Sequence, residues 1–556
     1  VSLGTSLSLL ACSSSSSPPP KADAAVDAHL DAGGPRGDAG AKDSAARDAQ
    51  ADRATDAAHD SGTDLGLLEP TATLPPLTSA PLTTDQTLVP SHALMSPPDP
   101  GPPSTASVLS AWMTDGYGIT TLGPASPLTE VAPPGATVPA AGASPKMLVR
   151  FVHLPDIQLA DDESPNRVCE FDVPVSLGPT DGAFRPQEGD ECRILDAAVR
   201  TINTMNKTLP LSFVLTGGDN ADNAQKNEVE WFMQIMDGAA SVKCDSGDYD
   251  DPVPGPNNDG KDPFAAVGLD VPWWWVTGNH DVDVQGNFPV DATSQARAVG
   301  TTALGQTRDY SRPGAPLSAG PLIPDPRRVP LARKDLMKLV GGDGDGHGVG
   351  AAQMASGKAF YSFDVTGTPL RFIILDTPAE TGSDDAVVHQ ADVTSTIKPL
   401  FDQAVTDSKW VIIASHHSTD QLTDGSGVGG TAQTDALTVA QWESFLGGYP
   451  NLLFSLVGHL HENRVKYVAP PSGHAFWEVM TGALADYPHE FRLIELWDDA
   501  NGWVRMRAIL TDYQTSGDPV AADGQALSIA DYTSGWGRDG SGTAADRNIE
   551  LYIPKP

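Results

Sequence analysis

Five short segments of this 556-residue chain carry the residue types that bind metal ions. They are Asp156-Ile157-Gln158, Gly217-Gly218-Asp219-Asn220-Ala221-Asp222, Gly278-Asn279-His280-Asp281, His416-His417 and Gly458-His459-Leu460-His461. Carboxylate oxygens, imidazole nitrogens and amide oxygens are the donors that divalent cations accept. Taken singly, each segment is ordinary. Gly-Asn-His-Asp reads as a turn, Asp156 can cap a helix, and a His-x-His is common on surfaces and in cores. Taken together they are not, because each one follows an apolar run, and five of the 13 histidines lie within them.

Those apolar runs are the elements that must bring the segments to one place. Met147 to Leu154, Leu211 to Thr216, Val271 to Thr277, Leu370 to Leu375, Trp410 to Ala414 and Leu452 to Val457 read as buried strands. Arg193 to Thr208 repeats Leu195, Ala198, Ile202 and Met205 on one helical stripe, and Glu228 to Met236 does the same with Trp231, Phe232 and Ile235. Strands alternating with helices predict an α/β layered fold, and ligands in open α/β sheets gather at the carboxyl ends of strands.

The ordered set of segments resembles the calcineurin-like metallophosphoesterase superfamily, whose pattern is D-x-H, G-D-x-x-D, G-N-H-[DE], a lone His and G-H-x-H. The resemblance spans roughly Met147 to Leu510 and implies a layered β-sandwich flanked by helices. It also implies two divalent or trivalent ions, Mn, Fe or Zn. Asp219 would bridge them; Asn279, His416 and His459 would complete one site, and Asp156, Gln158 and His461 the other. His416 is chosen over its neighbour His417. His280 would contact phosphate and protonate the leaving oxygen, with Asp281 fixing its tautomer, and Asp222 would orient the ligands from behind. Gln158 departs from the pattern, which has His there. An amide oxygen suits Mn²⁺, Mg²⁺ or Ca²⁺ better than Zn²⁺, and Asp161 and Asp162 follow closely enough to stand in. The stretch Asp161 to Arg167, with Asp325-Pro326-Arg327-Arg328, is similar to an exported branch of the superfamily.

The function expected on this basis is hydrolysis of a phosphomonoester or phosphodiester by a water activated between two ions. A reading from another class is a non-catalytic, surface-anchored binding lipoprotein with a degenerate metal site. Lys plus Arg at 35 against Asp plus Glu at 72 gives a net charge of −37, which disfavours nucleic-acid polymers and leaves a small phosphorylated substrate as the expected partner.

Leu9-Leu10-Ala11-Cys12 looks like a lipobox, so residues 1–12 are expected to be a lipoprotein signal segment with Cys12 lipidated. That places the chain outside the cytoplasm, in the outer membrane or periplasm, with the lipid as its only membrane contact. Residues 13–145 are Ala-, Asp- and Pro-rich and read as a disordered linker. Within it, Lys21 to Pro70 holds eleven acids and five bases, and Val108 to Trp112 is a docking strip. The catalytic domain is expected over 146–515, with a C-terminal extension over 516–556. Cys169, Cys192 and Cys244 allow one disulfide, Cys169 with Cys192 closing the shortest loop, and the sequence does not choose among the pairings.

Overall fold

The computed structural model describes residues 69–178 and 180–556. The signal segment, Cys12 and the linker up to residue 68 lie outside them. Thirteen strands build the two main sheets: β1 (Thr129–Val131), β2 (Lys146–Leu154), β3 (Val214–Thr216), β4 (Trp273–Trp274), β5 (Tyr361–Asp364), β6 (Leu370–Ile374), β7 (Trp410–Ala414), β8 (Leu452–Val457), β9 (Arg464–Val468), β10 (Phe476–Met480), β11 (Glu490–Asp498), β12 (Trp503–Asp512) and β13 (Ile549–Pro554). One sheet is seven-stranded in the order β1-β13-β12-β11-β2-β3-β4, and the other six-stranded in the order β5-β6-β7-β8-β10-β9.

The sheets pack face to face because their strands alternate. On β2, Val149 and Phe151 enter the core between the sheets, where they meet Phe372, Ile412 and Phe454. Val152 and Leu154 point the other way, into a second core with Leu195, Ile202, Phe232 and Ile235 from the helices Glu191–Asn206 and Lys226–Asp237. The layered α/β sandwich expected from the sequence is therefore the architecture. In both sheets the strands that lead into the five segments run parallel: β2 with β3 and β3 with β4, and β7 with β8. Parallel neighbours end on the same side, so their loops converge.

Both expected flanking segments contribute to the fold. Beyond residue 68 the expected linker carries secondary structure: β1 pairs in parallel with β13, and a helix, Ala106–Asp115, which contains the docking strip Val108 to Trp112, buries Trp112 against Tyr117, Ala530 and Trp536. The expected C-terminal extension supplies that helix's partner, Pro519–Ser534, and β13, which lies between β1 and β12 inside the sheet. Each piece is too short or too polar to read as core alone, and each becomes core against a partner roughly 400 residues distant in sequence.

The disulfide joins Cys192 to Cys244 with Cα atoms 6.5 Å apart, not the shortest-loop pair, and Cys169 is buried and free. Among the described residues no helix is long and apolar enough to cross a membrane.

Candidate metal centre

The loops after β2, β3, β4, β7 and β8 meet at one edge of the sandwich. The β2 and β3 loops are stitched by backbone hydrogen bonds, Asp156 N to Gly218 O at 3.0 Å and Gln158 N to Asp219 O at 2.7 Å. Of the seven expected donors, five hold left-handed backbone: Asp156 (φ 50°), Gln158 (46°), Asp219 (54°), His459 (76°) and His461 (54°). Such conformations cost a non-glycine residue free energy and concentrate at functional sites. Two glycines are required by close approach. A Cβ at Gly218 would lie 2.7 Å from His416 Nδ1, and one at Gly286 would lie 2.4 Å from Asn279 Nδ2.

Asp219 is at the centre. Its Oδ1 accepts from His280 N at 2.8 Å, while Oδ2 stands 3.1 Å from His416 Nε2 and accepts from Gln158 Nε2 at 3.2 Å. On one side, His416 Nδ1 donates to Gly217 O at 2.8 Å, which leaves Nε2 as a lone-pair donor. Asn279 Nδ2 donates to Gly286 O at 3.0 Å, which fixes its Oδ1 inward. His459 Nδ1 lies 3.2 Å from that Oδ1 and 3.3 Å from His416 Nε2. Four lone-pair atoms crowded together in this way are a ligand set for a cation.

On the other side, Asp156 accepts the His459 backbone N–H at 3.0 Å and has His461 Nε2 at 3.6 Å from Oδ1. His461 Nδ1 is 2.5 Å from Asp486 Oδ2. Gln158 turns its Nε2 to Asp219, and its Oε1 is buried without a partner. An orphaned buried acceptor on a side chain next to Asp219 is what a divalent cation would satisfy. The residues present therefore fit a metal ion, and Asp156, Asp219 and His416 alone offer ligand atoms within 4.8 Å of one another.

Asp161 and Asp162 do not stand in for Gln158. Asp161 is taken by Asn227, Ser246 and Arg328 at 2.6, 2.7 and 3.1 Å, and Asp162 by Lys261 and Tyr310, both at 2.9 Å. The Asp325-to-Arg328 motif thus folds back onto the Asp161 segment.

The role expected of Asp281 is corrected. Its carboxylate accepts the backbone N–H groups of Asn220, Ala221 and Gly278 at 2.9, 3.0 and 2.8 Å, and it braces the two loops instead of touching the His280 ring. The ring belongs to Asp222: His280 Nδ1 lies 2.9 Å from the Asp222 carbonyl and 3.1 Å from its Oδ1. Asp222 is therefore not behind the metal donors, as expected, but behind His280. Burial works against the charged imidazole, yet Asp219 and the Asp222 hydrogen bond outweigh it and push the His280 pKa up to about 9.

Two residues escaped the sequence reading. Asp486, at the end of the sheet edge after β10, holds His461; burial would raise its carboxyl, but Arg185 and His461 overcome that and hold it well below the usual range. Arg185 spans both supports, with Nε 2.9 Å from Asp486 and Nη1 3.8 Å from Asp222. Neither lies in a motif, and no local signal marks them.

No family model matches the chain, nor does any curated protein. Among solved structures it is similar to a dimetal phosphatase from Danio rerio, at 12% identity and TM-score 0.36, over 66% of this chain and 100% of that one. It is also similar to the sulfate thiohydrolase SoxB of Termus thermophilus in complex with glycerol, at 12% and 0.28, over 70% and 60%. A third is GAP50 of Plasmodium, described as the anchor in the inner membrane complex, at 13% and 0.26, over 69% and 95%. Likenesses this distant carry nothing about residues or function.

Proposed function

We propose that the chain is a metal-dependent hydrolase of small phosphoesters and a member of the calcineurin-like metallophosphoesterase superfamily. The observation that supports this best is the pair of donor sets sharing Asp219: Asn279, His416 and His459 on one side, Asp156, Gln158 and His461 on the other. Two divalent ions held there would supply Lewis acidity, drawing charge from phosphate oxygens and acidifying water.

The protein's own part is proton handling and orientation. His280 lines the cavity beside the donors, and Asp222 holds its Nδ1. Its Nε2 is then the proton donor to the leaving oxygen as water attacks phosphorus in line and the bond to the alcohol breaks. The net charge of −37 favours small esters over long polyanions. We place the protein outside the cytoplasm on a lipid carried by Cys12, which mass spectrometry of the mature N-terminus tests.

The deciding experiment measures metal content and turnover of an aryl phosphate together. The Mn²⁺-loaded protein should turn over, and His280→Ala should keep its metal while turnover falls roughly 10²- to 10⁴-fold. Bound metal without turnover of any monoester or diester would instead establish the binding-protein reading.

A further inference from the structure

The cavity over the candidate centre, about 460 Å³ in volume, has a lining of two kinds. Polar donors such as Gln158, Asp219, Asn279, His280 and His459 make up one part. Val168, Phe171, Phe288, Val428 and Leu460 contribute another. Three of these are large apolar side chains left open to solvent: Phe171 is 58%, Phe288 39% and Val428 69% exposed. Single exposed apolar residues are ordinary on a surface, but several lining one cavity mark a place where an apolar group is buried on binding.

The backbone that carries these side chains is tied down. Phe288 sits on a short antiparallel hairpin, Asp283–Val284 with Phe288–Pro289. The Asn287 carbonyl beside it accepts Ser383 N at 2.7 Å. The loop bearing Val428 packs against that hairpin, since a Cβ at Gly429 would lie 3.1 Å from Phe288 Cδ1. Phe171 closes a helical turn, and its carbonyl accepts Thr180 Oγ1 at 2.7 Å.

Charge points the same way. Both arginines lining the cavity are already paired: Arg538 with Asp181, and Arg185 with Asp486 and Asp222. Asp181, Asp219, Asp222 and Asp384 also line it. Among the described lining residues no unpaired Lys or Arg remains to receive a second phosphate or a carboxylate on the substrate.

Resting on the phosphoester reading above, we propose that the organic part of the substrate is uncharged and apolar, an alkyl or aryl group that packs on Phe171, Phe288 and Val428. A polyol would bury less apolar surface on those side chains, and a nucleoside diphosphate would bring a second anion to a wall with no unpaired cation to receive it.

The test compares 2-phenylethyl, ethyl and glycerol phosphates, each as monoester and as methyl diester, on the Mn²⁺-loaded full chain. The phenylethyl and ethyl esters leave as primary alkoxides of similar basicity, so their ratio reads the organic group. The phenylethyl ester should exceed the ethyl ester in kcat/KM by roughly tenfold or more, as burial of a phenyl ring predicts. Phe288→Ser should cut that ratio several-fold and Phe288→Leu, which stays apolar, should retain most of it. A binding readout accompanies this: by calorimetry, 2-phenylethylphosphonate should bind at least tenfold more tightly than methylphosphonate. Equal or reversed preference in turnover and in phosphonate binding overturns the inference while leaving the hydrolase reading intact. If no ester turns over, the hydrolase reading falls, and the calorimetric ratio still decides the inference.

Discussion

The two donor sets that share Asp219 are built by different means. On the side of Asn279, His416 and His459, the supports observed are largely backbone: the Gly217 carbonyl sets the His416 tautomer and the Gly286 carbonyl sets the Asn279 amide. On the side of Asp156, Gln158 and His461, the support of His461 is side-chain charge. Asp486 holds His461, and Arg185 holds Asp486. Backbone carbonyls cannot be mutated away, whereas a buried carboxylate and its arginine can be. The first side should therefore be the robust one and the second the tunable one, and the amide at Gln158 lies on the tunable side.

The largest effect should come from the shared ligand. Asp219→Asn removes the charge common to both sets, so metal content measured by plasma emission should fall on both sides and turnover should drop by more than about a hundredfold. His416→Ala should instead take away one ion and leave the other. Loss of a single ion in Asp219→Asn would break the picture of a shared carboxylate.

Next in size is Asp486→Asn. The amide can still meet His461 but carries no charge, so affinity for one ion should weaken by roughly 10- to 100-fold while the other stays bound. Competitive chelator titration resolves the two. Uniform weakening of both ions would mean that the sides are not independent.

A smaller change is expected at Gln158. With its amide as the donor, activity should be highest with Mn²⁺ and poorer with Zn²⁺, and Gln158→His should shift the preference toward Zn²⁺. An unchanged metal preference in Gln158→His would make Gln158 a bystander.

The smallest effect is on stability. His489, whose backbone N–H donates to the Asp486 carbonyl at 2.7 Å, is buried with its Nδ1 donating to the Leu484 carbonyl, and burial pushes its pKa down to about 4. The unfolded chain takes up that proton near 6.5 and the folded chain near 4, so stability is full above pH 6.5 and lost as pH falls toward 4. The ceiling is on the order of 3 kcal/mol. Urea midpoints at pH 7.5 and 5.0 should differ less in His489→Asn than in the parent. An equal pH dependence in the two proteins would remove His489 from this account.

Much of the centre was legible because its information is local. An apolar run that stops at Gly-Asn-His or Gly-His-x-His announces both a strand and the polar residues at its end, and parallel pairing then carries those ends to one edge. Strand β7 occupies the span its residues predict, Trp410–Ala414, and β8 occupies Leu452–Val457. Adjacency in sequence misled where it stood in for contact. Asp281 follows His280 directly yet points into the loop backbones, whereas Asp222, 58 residues earlier, reaches the ring.

The sequence by itself determined the donor types, the strands that end in them and the departure at Gln158, since each is a property of a few consecutive residues. Tertiary structure alone decided the rest. It selected Asp222 over Asp281, occupied Asp161 and Asp162 elsewhere, paired Cys192 with Cys244, recruited Asp486 and Arg185, and drew residues 129–131 and 549–554 into one sheet. The physical reason is common to all of these. A buried charge is stable only when a partner neutralises it, and a short strand only when neighbours complete its hydrogen bonds; in this chain those partners lie tens to hundreds of residues away.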